Sequence, residues 1–416
     1  MNKLKCACLC GLVGILFFAI SIVVSVVANP ANAPFKAAVD YIPERTEIVL
    51  GEPLYVTFSV TNKGFRPFYL ETGGDFRMAI RPGRFSFKAV DSSGVAAKDS
   101  YPDAHNYGGP LFFPEIKPHS TYSEKLFLPL WIKFDHSGRY RVHAERSLQL
   151  YTSPNPLRPA AVTNSGTFDF YVTVLPANSN LLGKRIQQLG EQTKIPEPAY
   201  NAAWALAYID DDRVIPYLVY CVETYKGDAL YPAIEGLGRH PSAESARALI
   251  KLLDNPNYYY GQHEVISALA KMKSSEAKGV LRESLNSPSA FTRSAVAKFL
   301  GQMSDRDSIN SMKEHLKDLN PEVRLACAKA LVWMNAFKTG SNSPVMLAQI
   351  LDTKNPSVTN SYNHDLFYLI AAVDGPRLSY NFSFTGETTE EEILENKKAL
   401  AMMQNWANSS NSIPTH

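Results

Sequence analysis

Apolar and polar positions alternate from about Tyr41 to Leu175, whereas beyond about residue 180 apolar positions recur at helical spacing. In EIVLGEPLYVTFSVTN, residues 47–62, Leu54, Val56, Phe58 and Val60 share one side of an extended chain that follows a Gly-Glu-Pro turn, which predicts a half-buried strand. Further strands are predicted in PFYLE, FSFKAV, SEKLFLPL, YRVHAE and TFDFYVTVL, separated by Gly, Pro, Asn and Asp. Short strands at these intervals predict a β-sandwich over residues 40–176.

The helical part is most legible in NPEVRLACAKALVWM, residues 320–334. Asn320 is placed to cap a helix whose first turn tolerates Pro321, because an N–H there has no intrahelical acceptor to lose. Val323, Ala326, Cys327, Ala330, Leu331 and Met334 then fall on one face, with Arg324 and Lys329 off it. The helix recurs upstream. Leu331 aligns with Leu300, Leu269, Leu237 and Leu206, in steps of 31, 31, 32 and 31 residues. Small residues sit one place before the leucine (Ala205, Gly236, Ala268, Ala330) or one place after it (Ala207, Gly238, Ala270, Gly301), where they let neighbouring helices approach.

A second helix follows each of these, as in SARALIKLLD and SINSMKEHLKDL, and Asn-Pro or Ser-Pro pairs mark boundaries at 255–256, 287–288, 320–321 and 355–356. Two helices of this length cannot bury their apolar faces alone, so residues 180–356 are read as an array in which each unit stacks on the next. Beyond Pro356 the period fades. HDLFYLIAAV predicts a helix, LSYNFSF an extended segment, and TTEEEILENKKALAMMQNWA a helix opened by a capping box from Thr388 or Thr389 to Glu391 or Glu392. Residues 357–408 are read as a divergent terminal cap and 409–416 as a disordered tail.

NPEVRLACAKAL and its weaker copies between about 197 and 356 resemble the short HEAT-like repeats, also called phycobilisome-lyase-type HEAT repeats. Val323, Arg324, Ala326, Ala330 and Leu331 match that pattern, as do Arg293, Ala295 and Leu300 one repeat earlier; the first copies depart from it, with Ala199 and Leu230 in place of the arginine. The resemblance implies an α-α superhelical solenoid and protein binding. It does not imply chromophore-lyase activity, for which no separate motif is present. In DHSGRYRV, residues 135–142, Asp135, Gly138 and Tyr140 resemble the tyrosine corner of immunoglobulin-like domains, which implies that the Tyr140 hydroxyl ties a late strand to the preceding backbone. The sandwich has no cysteines for an inter-sheet disulfide, and Trp131 lies just before the corner rather than on an early strand. The implied domain is therefore of the bacterial immunoglobulin-like sort.

With 416 residues, 45% hydrophobic and 20% charged, the chain is long enough for two or three folded domains and too apolar for general disorder. Its 42 basic and 40 acidic side chains leave a formal net charge of +2, with no sign of a nucleic-acid surface. One segment stands apart. MNKLK is followed by an apolar run with no charge between Lys5 and Lys36, so residues 1–33 are read as a signal peptide or N-terminal transmembrane anchor. Lys3 and Lys5 are expected in the cytoplasm and the body in the cell envelope, facing the periplasm or exterior, or released there by cleavage after Ala28. Cys6, Cys8 and Cys10 precede the run, where a lipoprotein cysteine would follow it; Cys221 and Cys327 are expected to be free, buried thiols.

Candidate chemistry is sparse. Asp103, His105, Glu115 and His119 in the loop 98–120 have no metal-ligand spacing, and Phe112 and Phe113 there are predicted to fold back onto the sandwich. No nucleophile elbow, phosphate loop or zinc motif is present, so no catalytic residue, metal or cofactor is assigned. Partner contact is placed at Tyr258, Tyr259, Tyr260 and His263 in NPNYYYGQH, because three consecutive tyrosines cannot all enter one packing seam; the alternative is that Tyr258 and Tyr260 pack on adjacent helices and Tyr259 alone meets solvent. Arg293 and Arg324 are read as bridges between repeats through a carboxylate or carbonyl, or else as partner contacts. Tyr140, Leu206, Leu237, Leu269, Leu300 and Leu331 are structural. The expected function is a non-enzymatic, exported or membrane-anchored protein-interaction scaffold. Its alternatives are a proteinase-inhibitor-like or other ligand-binding sandwich positioned by the solenoid, and an enzyme with no recognisable motif.

Overall fold

The computed structural model describes residues 35–74, 81–104, 108–154, 160, 162–226, 230–255, 262–337, 342–357, 360–383 and 389–411. The chain divides into two compact units, Met1–Asn178 and Ser179–His416. The expected anchor or signal at 1–33 lies outside the described residues. Among those described, no helix is long and apolar enough to cross a membrane.

The first unit holds strands β1 (Ala37–Pro43), β2 (Glu47–Val49), β3 (Tyr55–Asn62), β4 (Phe68–Leu70), β5 (Thr72–Gly73), β6 (Phe85–Asp91), β7 (Lys98–Asp99), β8 (Leu111–Phe112), β9 (Glu115–Ile116), β10 (Thr121–Phe127), β11 (Ile132–Lys133), β12 (Gly138–Tyr151) and β13 (Val162–Leu175). One sheet has the order β1-β3-β10, all antiparallel. The other has the order β2-β13-β12-β4-β9, with β6 also paired to β12. Its backbone is the long hairpin of β12 and β13, in register from Gly138 opposite Val174 to Leu150 opposite Val162.

The two sheets share a core and form a β-sandwich. Tyr41 of β1 meets Phe87 of β6 edge-on at 5.8 Å, and Phe58 of β3 meets Phe85 at 5.1 Å. As the period of two requires, Leu54, Val56, Phe58 and Val60 are buried while Thr57, Ser59 and Thr61 are half-exposed. Pro129 cannot extend the ladder, so β10 stops at Phe127 and a 3-10 turn follows. The Tyr140 hydroxyl donates to the His136 carbonyl at 3.0 Å, from a residue that is completely buried. Trp131 is also in the core, its indole N–H donating to the Phe85 carbonyl at 3.1 Å. Phe112 corrects an expectation. It is 54% exposed, because β5 and β8 form a separate two-stranded ribbon in which both β8 residues face solvent, whereas Phe113 packs on Tyr151 at 5.3 Å. One inward position carries a charge: Arg146 is buried with its guanidinium 4.6 and 4.7 Å from the Phe58 and Phe85 rings, and it donates to the Glu71 carbonyl at 3.1 Å.

The second unit holds helices α1 (Ser179–Gln192), α2 (Pro196–Ala207), α3 (Ile215–Thr224), α4 (Leu230–Arg239), α5 (Ala243–Asp254), α6 (Gln262–Lys271), α7 (Ser275–Glu283), α8 (Ala290–Gln302), α9 (Ile309–Glu314), α10 (Pro321–Trp333), α11 (Ser343–Ala348), α12 (Ser361–Ala372) and α13 (Glu390–Asn411). Leu206, Leu237, Leu269, Leu300 and Leu331 lie on α2, α4, α6, α8 and α10, and all five are fully buried. The small residues beside them set the helix spacing. A methyl group on Gly238 would stand 2.9 Å from the Ala268 Cβ, and one on Gly301 would stand 2.6 Å from the Ala330 Cβ. Asn320 caps α10 by accepting from the Glu322 N–H, as expected.

The C-terminal end is closed by a different device. Thr389 and Glu392 form the capping box of α13, the Thr389 hydroxyl accepting from the Glu392 N–H at 3.2 Å and the Glu392 carboxylate accepting from the Thr389 N–H at 2.9 Å. Asn396, fully buried on this helix, accepts from the Asn381 N–H at 2.7 Å and donates to the carbonyls of Asn381 at 3.0 Å and Pro356 at 3.1 Å. Leu400, Met403 and Ala407 of α13 are buried along the same side. The helix continues through Ser409, Ser410 and Asn411, where the sequence predicts a disordered tail; a helix already anchored by packing needs no apolar residue in its last turn.

Candidate protein-interaction surface

With the leucine column turned inward, the 100° advance per residue puts positions two before and two after it on the opposite side of each helix, and the position six before it close to them. Two before stand Trp204, Glu235, Ser267, Lys298 and Lys329; two after stand Tyr208, Arg239, Lys271, Gln302 and Trp333. Six before stand Tyr200, Tyr231, His263, Ser294 and Leu325. All of these except buried Leu325 are exposed or half-buried. They make one face.

Its α2–α4 end is aromatic. The Trp204 ring lies 5.6 Å from Tyr231, 5.8 Å from Tyr208 and 6.5 Å from Tyr200. The Arg239 guanidinium sits 4.2 Å over the Tyr208 ring, joining α4 to α2. Tyr200 and Tyr231 are 42% and 45% exposed, and Trp333 at the α10 end is 55% exposed. Between these ends the face is charged. Lys271 pairs with Glu235 at 3.2 Å across α6 and α4, and Lys329 pairs with Asp365 at 2.6 Å across α10 and α12. Such crossings show that neighbouring repeats present these positions side by side.

Of the residues expected to contact a partner, Tyr258, Tyr259 and Tyr260 lie outside the described residues. His263 is exposed on α6, in the same row as Tyr200 and Tyr231. Arg293 and Arg324 are engaged inside the array. Arg293 forms a fork with the Asp318 carboxylate, both bonds 2.8 Å, and donates to the carbonyls of Ser287 at 2.8 Å and Pro288 at 3.1 Å. Arg324, one repeat on, donates to the carbonyls of Asp318 at 2.9 Å and Leu319 at 3.1 Å and to the Tyr362 hydroxyl at 3.0 Å. The Arg293 fork holds the Asp318 carboxyl below the usual range. Cys221 and Cys327 are free and buried, and burial pushes their thiols up to about 11 and about 12, so neither is a ready nucleophile near neutral pH. Among the described residues no group of three or more His, Cys, Asp or Glu side chains is placed to hold a metal.

Tyr200, Trp204, Tyr208, Tyr231 and Arg239 were not singled out from the sequence. Their signal lies in the repeat alignment, two and six places from each leucine, on the side away from the buried column.

The family model of HEAT repeats matches residues 185–270, 256–332 and 280–361. Residues 185–361 are HEAT repeats. These matches take in α2 to α10, and with them the whole exposed face. Among solved structures, the HEAT-repeat unit is similar to an archaeal HEAT-like repeats protein from Thermococcus onnurineus, at 15% identity and a TM-score of 0.30, covering 54% of this chain and 88% of that one. It is also similar to the CpcE and CpcF complex of phycocyanin lyase from Nostoc sp., at 14% identity and a TM-score of 0.27, covering 52% and 94%. Human deoxyhypusine hydroxylase aligns at 17% identity and a TM-score of 0.24, covering 45% and 84%. The curated proteins contain no match to the chain.

Proposed function

We propose that this protein is a non-enzymatic interaction scaffold whose HEAT repeats dock a protein partner on the exposed face of α2, α4, α6, α8 and α10. The observation that carries the reading is the group of three tyrosine rings around Trp204, with Arg239 stacked at its edge. Aromatic side chains and arginine supply most hot-spot energy in protein interfaces, and here they stand on rigid helices and need little ordering on binding. The β-sandwich is proposed to be immunoglobulin-like, supported by the Tyr140 corner bond and by the two-sheet core. Export is part of the same proposal, supported by Lys3 and Lys5 ahead of the uncharged run.

Photocrosslinking residues placed at Tyr231 and Lys298 in the cell test the docking face. One protein crosslinked from both positions, and not from exposed Glu314 on α9, in the other row of helices, is the expected result. Equal labelling from all three, or none from the face, overturns the reading. Protease added outside the inner membrane tests export, which predicts digestion of the body there and protection from protease in the cytoplasm.

A further inference from the structure

The end of the sandwich at which the chain enters joins an exposed ring to a set of cations. β1 starts, β3 stops and β10 starts there, since Ala37 is opposite Asn62 and Thr121 is opposite Thr61. Asn62, fully buried, ties the three segments together. Its side chain donates to the carbonyls of Arg66 at 2.8 Å and Ile116 at 2.9 Å and accepts from the Gly64 N–H at 2.9 Å, and its carbonyl accepts from the His119 N–H at 2.9 Å. The Lys63 N–H donates to the Lys36 carbonyl at 2.7 Å. Held on this frame, Phe65 is 86% exposed, with its ring edge-on to that of His119 at 6.0 Å. Lys36, Lys63, Arg66 and Lys117 are exposed on the same segments, and none of the four forms an ion pair with another described residue. Glu115, next to Ile116 on β9, is the carboxylate beside them and accepts from the Tyr69 hydroxyl at 3.4 Å. Residues 152–154 and 160 of the β12–β13 turn, at the same end, carry no charge.

This is also where the chain arrives from residues 1–33. The apolar run closes at Ala28, and six residues, 29–34, separate it from Phe35, which is buried against Phe68 at 5.5 Å. Fully extended, the steps from Ala28 to Phe35 reach at most about 25 Å. A small folded domain is about 30 Å across, so a globular partner has no room between this end and a bilayer that holds the run. Resting on the export proposed above, with residues 1–33 kept as the anchor, we infer that this end of the sandwich is a contact surface for an anionic bilayer. Phe65 enters the interfacial layer, and Lys36, Lys63, Arg66 and Lys117 meet lipid phosphates. The Asn62 hydrogen bonds hold the loop in place before contact, so little ordering is needed on binding. The bilayer thereby sets the tilt of the sandwich, which a six-residue tether alone would leave free.

The test uses the full chain in nanodiscs, with photoreactive benzoylphenylalanine placed at Phe65 or, as a control, at Val95, which is 53% exposed in the turn after β6 at the opposite end. In nanodiscs containing phosphatidylglycerol, mass spectrometry should find lipid adducts from position 65 at least about fivefold more abundant than from position 95. Lys63→Glu and Lys117→Glu together should cut the adduct about fivefold or more with circular dichroism unchanged, and raising the salt or using neutral phosphatidylcholine alone should lower it too. Inorganic phosphate should compete no better than chloride of equal ionic strength; selective competition would make the cations a free-phosphate site and overturn the inference. Equal lipid adducts from the two positions overturn it, as does an adduct that the charge reversals leave unchanged, or one formed on protein rather than lipid when position 65 is activated in the cell. Export and contact fail separately. A body digested by protease outside the inner membrane, with no lipid adduct from position 65, removes the contact and keeps export; a body protected there, with the adduct present in nanodiscs, removes export and keeps the contact.

Discussion

The sandwich and the helical array hold themselves together in opposite ways. In the sandwich, partners come from far along the chain: β3 lies between β1 and β10, and β12 is joined by β13, β4 and β6. One core is shared by the strands of both main sheets, so its residues serve many partners at once. In the array each helix packs on the next of its kind, and the leucine column is a row of similar, separately made contacts. The sandwich should therefore fail as a whole, while the array should fail locally.

Truncation of a core residue in each unit tests that contrast with the largest effects. Phe58→Ala removes a ring that meets Tyr41, Phe85 and Arg146 and should cost about 3–5 kcal/mol. Hydrogen exchange should quicken together in β1, β3, β6 and β12, and protection kept in β12 alone would contradict a single shared core. Leu269→Ala should cost about 2–5 kcal/mol and release α4, α6 and α8 while α12 and α13 stay protected. Uniform loss of protection across all the helices would show that the repeats are not semi-independent.

A smaller effect is expected at the corner, where Tyr140→Phe deletes one hydrogen bond and should lower sandwich stability by about 0.5–1.5 kcal/mol. An unchanged denaturation midpoint would mean that the bond contributes nothing net.

The smallest difference is in pH dependence. His136 lies 3.0 Å from both Asp91 and Asp135, and these hydrogen bonds, first that to Asp91, raise its pKa. A raised folded-state pKa means stabilisation that is complete below the unfolded value of about 6.5 and is lost as pH rises through the folded pKa. The same corner weakens in acid, since Lys98, and after it His136, hold the Asp135 carboxyl down at about 2. In the array, Arg293 depresses Asp318, and Arg282 depresses Asp305 against the burial that opposes it. Those contributions are present above the unfolded pKa and are lost only as pH falls through the folded one. As pH rises above the unfolded value of about 6.5 the sandwich should therefore show a falling midpoint that His136→Asn flattens. A slope that persists in that variant would place the titration elsewhere.

Most of the architecture was written in periodicity. The Leu54-to-Val60 alternation and the leucine steps report burial directly, because each side chain in them faces a core. Arg146 was illegible for the same reason. It occupies the inward row of Tyr140, Val142 and Ala144, and nothing local reveals that Phe58 and Phe85 will enclose its charge. The corner was legible because a turn is local, and Phe112 was misjudged because its strand partner, Thr72, is distant in sequence. The surface was the least legible part. Trp204 and Tyr231 become one patch only when α2 and α4 pack, and an aromatic residue on a helix looks the same in sequence whether it faces inward or outward.

The covering of the last apolar face by α13 also bears on how copies of the chain could meet. An array whose units stack at a constant step has ends shaped to receive another unit, and head-to-tail stacking of that kind does not close on itself. Left bare, the last apolar face would be a site for filament growth. Asn396 holds α13 there by reading the backbone of Asn381 and Pro356, as buried Asn363 of α12 reads that of Asp352 and Asn355 one helix earlier. Because the amide is buried with its hydrogen bonds made, an incoming copy would have to break all of them before finding its own. Two buried asparagines, Asn363 and Asn396, thus pin the last two helices of the described array through the backbone they read.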